Sequence, residues 1–230
     1  MPFENTLQCG DSNQIIGAMP EGAVDLVVTD PPYGVNYRDR TGRTVKNDDT
    51  LESVLPVFDQ LYRALKPGGF CISFYGWNRI DRFMAAWKAA GFTVAGHMVW
   101  TKDYASRRRY LAYHHEQAYV LVKGQAKLPG KPLADVQPWV YSGNKAHPTE
   151  KAVEVLSPLI RSFSRRGDLV CDPFAGSGAT LVAAALVGRR YLGVELEERY
   201  CRQARTRLDG VVRHVAEPTL LNWQRSAELS

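Results

Sequence analysis

Asp172-Pro173-Phe174-Ala175-Gly176-Ser177-Gly178-Ala179-Thr180 follows the short apolar run Leu169–Cys171 and opens the helical pattern Ala179–Val187. A strand that turns sharply into a helix through glycines is the ligand-holding turn of an α/β sheet, because residues without a Cβ let the backbone pass close to a bound molecule. The loop lacks the third glycine of the GxGxxG dinucleotide fingerprint and the GK[ST] of a phosphate loop. Both omissions point away from NAD and ATP. Glu195 comes directly after the strand pattern Arg190–Val194, 19 residues beyond Gly176, at the place where an acid grips ribose hydroxyls. A nucleoside ligand without phosphates fits, and S-adenosylmethionine is the leading candidate.

Outward from this loop, short apolar runs alternate with helical patterns, the signature of a mostly parallel sheet with helices on both faces. Strands are expected at Thr6–Cys9, Val24–Thr29, Phe70–Phe74, Val94–Trp100, Gln117–Val122, Leu169–Cys171 and Arg190–Val194. Helices are expected around Leu51–Leu65, Arg79–Ala90, Thr149–Phe163, Ala179–Val187 and Glu197–Leu208. Gly34–Thr50 and Lys123–His147 are too polar, or too rich in Gly, Pro and Lys, for this pattern and are read as loops or a small insertion. The expectation is a single α/β domain of Rossmann-like build spanning residues 1–230, a chain length suited to one sizeable core.

Four acids share a position in this scheme. Asp11, Asp30, Asp172 and Glu195 each follow a strand candidate, and the carboxyl ends of parallel strands line the ligand-binding edge. One acid there is commonly a helix cap. Four together repel one another and need a functional reason.

The second informative stretch is Asp30-Pro31-Pro32-Tyr33-Gly34, directly after Val24–Thr29. Two prolines donate no backbone N–H and hold the chain extended. The Asp30 carboxylate and the carbonyls then form a fixed acceptor array beside an aromatic ring, suited to an exocyclic amine on a flat base.

DPPYG followed by DPFAGSGAT resembles the β-group of S-adenosylmethionine-dependent DNA amino-methyltransferases, in which the amine motif precedes the cofactor loop, a circular permutation of the usual order. Further segments agree. Gly10-Asp11 resembles the cofactor-adenine contact, Leu65-Lys66-Pro67-Gly68-Gly69 the turn before a strand, and Gly193-Val194-Glu195 the ribose-binding acid. His147-Pro148-Thr149-Glu150-Lys151 is similar to the helix-opening HPTxKP, with Ala152 where proline is usual. The resemblance runs from Gly10 to about Leu208.

It implies cofactor contacts by Asp11, His147, Thr149, Lys151, Asp172, Phe174, Ala175, Gly176, Ser177, Gly178 and Glu195. It also implies an amine site of Asp30, Pro31, Pro32 and Tyr33. Related enzymes acting on cytosine mostly carry serine in place of Asp30, so the N6 amine of adenine in double-stranded DNA is the expected acceptor, with cytosine N4 or a catalytically inactive DNA-binding relative as alternatives. The substrate amine attacks the methyl group itself, so no nucleophilic residue is required. A stacked base cannot reach such a site and is expected to flip out onto Tyr33.

DNA contacts are expected from Arg38, Arg40, Arg43 and Lys46 after DPPYG, and from Arg107, Arg108 and Arg109, which Tyr104 and Tyr110 flank. The family's target-recognition segment falls at about 123–146, which is short. The loops Tyr33–Thr50 and Trp100–His115, or a second subunit in a homodimer, could share the task. The formal charge of +5 is modest. Cys9, Cys71, Cys171 and Cys201 stand far apart without a CxxC pair, which argues against a zinc site or a disulfide framework and suits a cytoplasmic protein. His114 and His115 are read as surface or strand-edge residues, and no metal is expected. No apolar run is long enough to span a membrane.

Overall fold

The computed structural model describes residues 3–35, 42, 50–106, 110–128, 130–141 and 151–211. Among them, β1 (Thr6–Cys9), β2 (Val24–Thr29), β3 (Leu65–Phe74), β4 (Thr93–Thr101), β5 (His115–Val122), β6 (Val136–Pro138), β7 (Leu169–Asp172) and β8 (Arg190–Glu195) form one sheet. The strand order is β1-β8-β7-β2-β3-β5-β4-β6. Neighbours pair in parallel except at β5, which runs antiparallel to both β3 and β4. The α/β domain with a mixed, mostly parallel sheet is the expected class.

The interior strands are apolar on both sides because both faces are covered. Leu26, Val28, Ile72, Val120 and Val170 face one core with helices α4 (Val153–Phe163) and α5 (Ala179–Leu186). Their sequence neighbours Val27, Cys71, Leu121 and Cys171 face the other, with α1 (Ser12–Gly17), α2 (Val57–Ala64) and α3 (Ile80–Ala90). Residues 198–211 form a further helix, α6, whose Leu208 joins the α4/α5 core.

From β2 the chain steps to β3 on one side, and from β7 to β8 on the other. The topological switch point therefore lies between β2 and β7, the crevice where open α/β sheets bind ligands. Asp172 ends β7 and Asp30 follows β2, one on each side of it.

Several elements differ from the sequence expectation. The helix expected at Leu51–Leu65 is regular only from Val57, since Pro56 has no N–H to give and its ring obstructs the preceding turn. The helix expected from Thr149 starts at Val153, after Lys151 and Ala152. Ala152 holds φ −71°, close to the value a proline ring enforces, so alanine keeps the geometry of the residue usual there. Leu65-Lys66-Pro67-Gly68-Gly69 is drawn into β3 as a bulge: Leu65 pairs with Val24 and Phe70 with Leu26, and Gly68 takes φ +77°. The six-residue α1 and three-residue β6 are additions to the expected elements. Cys9 and Cys201 form a disulfide, contrary to the inference from cysteine spacing. They lie 192 residues apart in sequence, but β1 pairs with β8 and α6 follows β8, which brings them together.

Candidate active site

The four acids converge. Cys9 pairs with Glu195, Asp172 pairs with Gly193, and β2 pairs with β7, so their strand ends form one row from Asp11 through Glu195 and Asp172 to Asp30. Asp11 caps α1, accepting from Asn13 N at 2.7 Å and Gln14 N at 3.2 Å. Glu195 Oε2 accepts from Gly176 N at 2.9 Å and its Oε1 from Glu197 N at 2.7 Å. Burial pushes the Glu195 carboxyl above its usual range, and these two amides pull it back. Asp172 is 3% exposed. Burial pushes its carboxyl up to about 7, opposed by the Thr180 hydroxyl and the Phe174 N–H and reinforced by the Asp30 charge across the switch point.

The glycine loop is held from several sides. Ser12 on α1 donates to the Pro173 carbonyl, and Arg207 on α6 donates to Ser177 O at 3.0 Å and Oγ at 2.9 Å. Gly176 and Gly178 take φ +52° and +82°, which glycine adopts at little cost. A Cβ on Gly178 would stand 2.8 Å from the Ala204 Cβ. The loop amides are already engaged: Phe174 N on Asp172, Ala175 N on Val194 O, Gly176 N on Glu195 and Gly178 N on Ala175 O. A loop whose amides are engaged in this way has few left to cradle a phosphate, and it presents carboxylates instead. That set of acceptors fits a phosphate-free nucleoside carrying hydroxyls and a positive charge.

On the other side of the crevice, Asp30 is gripped at both oxygens. The Tyr33 hydroxyl donates to Oδ1 and Lys151 Nζ to Oδ2. Lys151 is 9% exposed, and its ammonium lies 4.7 Å from the Phe74 ring and 5.9 Å from the Trp139 ring. Sequence reasoning ties Lys151 to the cofactor; the structure brings it to Asp30. Phe174 and Ala175 lie in the loop, and Pro31 and Pro32 carry the chain from Asp30 to Tyr33. Sequence reasoning misses Trp139 and the ion pair of buried Lys102 with half-buried Glu116, whose ammonium lies 5.1 Å from the Trp139 ring. No motif marks them: the pairing of β4 with β5 brings Lys102 to Glu116, and the pairing of β4 with β6 brings Trp139 beside them.

His147, Thr149, Arg38, Arg40, Arg43, Lys46, Arg107, Arg108 and Arg109 lie outside the described residues. His115, itself exposed, opens the interior strand β5 opposite Thr101, and His114 approaches the Lys102 carbonyl. The described residues hold a cluster of Cys9, Glu198 and Cys201 with metal-ligand proximity, but a disulfide leaves those cysteines no thiolate to offer a metal. No described helix is long and apolar enough to cross a membrane.

The sequence profile of the N6/N4 DNA methylases matches residues 24–206. The chain belongs to the N6/N4 DNA methylase family. This DNA methylase is 54% identical over 204 residues to YubD of Escherichia coli (strain K12), covering 89% of the chain and 90% of YubD. It is similar to the solved complex of TTHA0409 from Thermus thermophilus with S-adenosyl-L-methionine, at a TM-score of 0.69 and 26% identity over 90% of this chain and 95% of that one. The cytosine-N4-specific PvuII DNA methyltransferase superposes at a TM-score of 0.73 with 18% identity, over 91% and 90% of the two chains, a likeness of fold alone. The cofactor of this DNA methylase is S-adenosylmethionine.

Proposed function

We propose that the chain methylates the exocyclic N6 amine of adenine in double-stranded DNA, at a specific sequence and on a base flipped out of the helix. The observation that carries this reading is the Asp30 carboxylate, fixed by Tyr33 and Lys151 across the switch point from the glycine loop. Asp11, Asp172, Glu195 and the loop Phe174–Gly178 would hold the cofactor, with His147, Thr149 and Lys151 at its methionine end. When bound, S-adenosylmethionine supplies an activated methyl group on a sulfonium.

The chain's own residues then act on the amine. Its lone pair is delocalised into the base ring, so it is a poor nucleophile. Accepting its protons at Asp30 and at the Pro31 carbonyl favours a pyramidal, more reactive nitrogen. Asp30 orients the amine and need not be a strong base. Holding the amine in line removes much of the entropic barrier, roughly 7–11 kcal/mol in ideal cases. The target base leaves the helix at a cost of a few kcal/mol, which stacking on Tyr33 at about 1–3 kcal/mol partly offsets. Residues 123–146, with the loops Tyr33–Thr50 and Trp100–His115, serve target recognition, and a second copy of the chain could complete the DNA track.

Incubation with unmodified genomic DNA and S-adenosylmethionine, followed by sequencing that detects modified bases, tests the reading. N6-methyladenine in one sequence context is expected; N4-methylcytosine would move the acceptor to cytosine, and no modification would end the proposal. Asp30→Ala is expected to abolish transfer while leaving the cofactor dissociation constant largely unchanged, and wild-type turnover in that variant would remove Asp30 from its role.

A further inference from the structure

Trp77 is 58% exposed, although it follows β3 at the ligand-binding edge. One face of its ring stacks on Tyr113, with centroids 5.7 Å apart and planes 20° from parallel. Trp77 stands against the amine site through its neighbours. A Cβ on Gly76 would come within 2.9 Å of the Tyr33 Cβ, and Arg79 Nη2 donates to the Gly34 carbonyl at 3.4 Å. Arg79 and Arg82 also line a small cleft with Gly34, Thr50 and Leu51. Both arginines are exposed, and neither is ion-paired among the described residues. An open indole face, two guanidinium groups outside any such ion pair and close contact with the target tyrosine therefore share one patch.

We infer that this patch is a second DNA site, in which Trp77, backed by Tyr113, stacks an unpaired base beside the flipped target while Arg79 and Arg82 hold the flanking phosphates. The chemistry matches on three counts. Any nucleobase offers a flat π-face to an aromatic ring regardless of sequence. Guanidinium groups bind phosphate oxygens in planar, bidentate fashion. Extruding one base leaves its neighbours and its former partner unstacked, and that strand needs cover close to Tyr33. The inference rests on the chain's being a DNA methylase, and it concerns residues that no motif of the amine site or cofactor loop includes.

The test uses the full chain with S-adenosylhomocysteine and three labelled DNAs: a paired duplex, the same duplex with a one-base bulge, and the single strand. Trp77→Ala is expected to weaken binding of the bulged and single-stranded DNA about tenfold, corresponding to about 1.4 kcal/mol, with at most about twofold on the paired duplex. Trp77→Phe should restore most of the loss. The double variant Arg79→Gln/Arg82→Gln should lower the slope of log affinity against log salt on the single strand by roughly 0.7 for each phosphate no longer neutralised. All three positions are exposed, and unchanged cofactor affinity in the variants shows that they fold. Equal losses on paired and unpaired DNA, or no loss in either, overturn the site. If the wild-type chain methylates DNA while Trp77→Ala binds like it, the patch alone fails; if the wild-type binds no DNA, the methylase reading falls with it.

Discussion

Asp172 sits almost fully buried with Asp30 across the crevice, and its carboxyl is pushed up to about 7 from 3.8, first by burial. The folded chain thus binds a proton there more tightly than the unfolded chain does. The stability this proton contributes is present in full below pH 3.8 and is lost as the pH rises through about 7. A rise of this size corresponds to at most about 4 kcal/mol. Asp172→Asn should therefore stabilise the cofactor-free chain more at pH 8 than at pH 5, read from melting temperatures at the two values; an equal effect at both would show that the carboxyl titrates normally. Lys151 carries a separate prediction. Its bond to Asp30 is charge-assisted, a class worth roughly 1.5–3 kcal/mol, so Lys151→Met should lower single-turnover methyl transfer tenfold or more at saturating cofactor, with partial recovery in Lys151→Arg. A variant that loses cofactor affinity alone, with turnover intact, would confine Lys151 to the cofactor.

At the scale of elements, the glycine loop is a joint between β7, β8, α1, α5 and α6. Gly193 shows how tight the joint is: a Cβ there would run into Leu181 on α5 and stand 2.9 Å from Leu7 on β1. Overpacking of this kind costs roughly 1–3 kcal/mol. Gly193→Ala should lower the melting temperature by about 2–12 °C and weaken cofactor binding, because Glu195 lies two residues further along the same strand. Unchanged melting and binding would mean that α5 shifts freely. This joint also explains which parts of the fold can be read from the sequence. The strands β2 and β8 are dense apolar runs next to glycine or proline signals, so their positions and their acids are evident. The helix α1 is six residues long, and only Ile16 of it is buried, so no periodicity can reveal it. The strand β6 has three residues on the sheet edge. Lys151 reaches Asp30 across 121 residues, and Cys9 reaches Cys201 across 192. Contacts at such separations are set by strand order, which local patterns do not encode.

For the whole molecule, the open question of physics is how a chain with a formal charge of only +5 tracks a polyanion. A modest net charge suffices if the cations sit on the ligand edge. Arg107, Arg108 and Arg109 stand in sequence between Ser106 and Tyr113, and these two are joined by a bond from Ser106 N to Tyr113 O at 2.9 Å. Tyr113 is also the residue that backs Trp77. If the three arginines contact phosphates, they position the duplex without reading it. Replacing all three with alanine should then weaken cognate and unrelated duplexes about equally, and lower the salt slope by roughly 0.9 for each phosphate no longer neutralised. Cofactor affinity should stay as it was, since the glycine loop and Glu195 are untouched. Methylation should fall through a raised DNA KM, with kcat retained at saturating DNA because Asp30 remains in place. This pattern differs from that of Trp77→Ala, which discriminates unpaired from paired DNA. A triple variant that keeps both its affinity and its salt slope would assign the arginine run to a solvated face and leave Arg79 and Arg82, beside the Tyr33–Gly34 segment, as the phosphate contacts that hold the duplex.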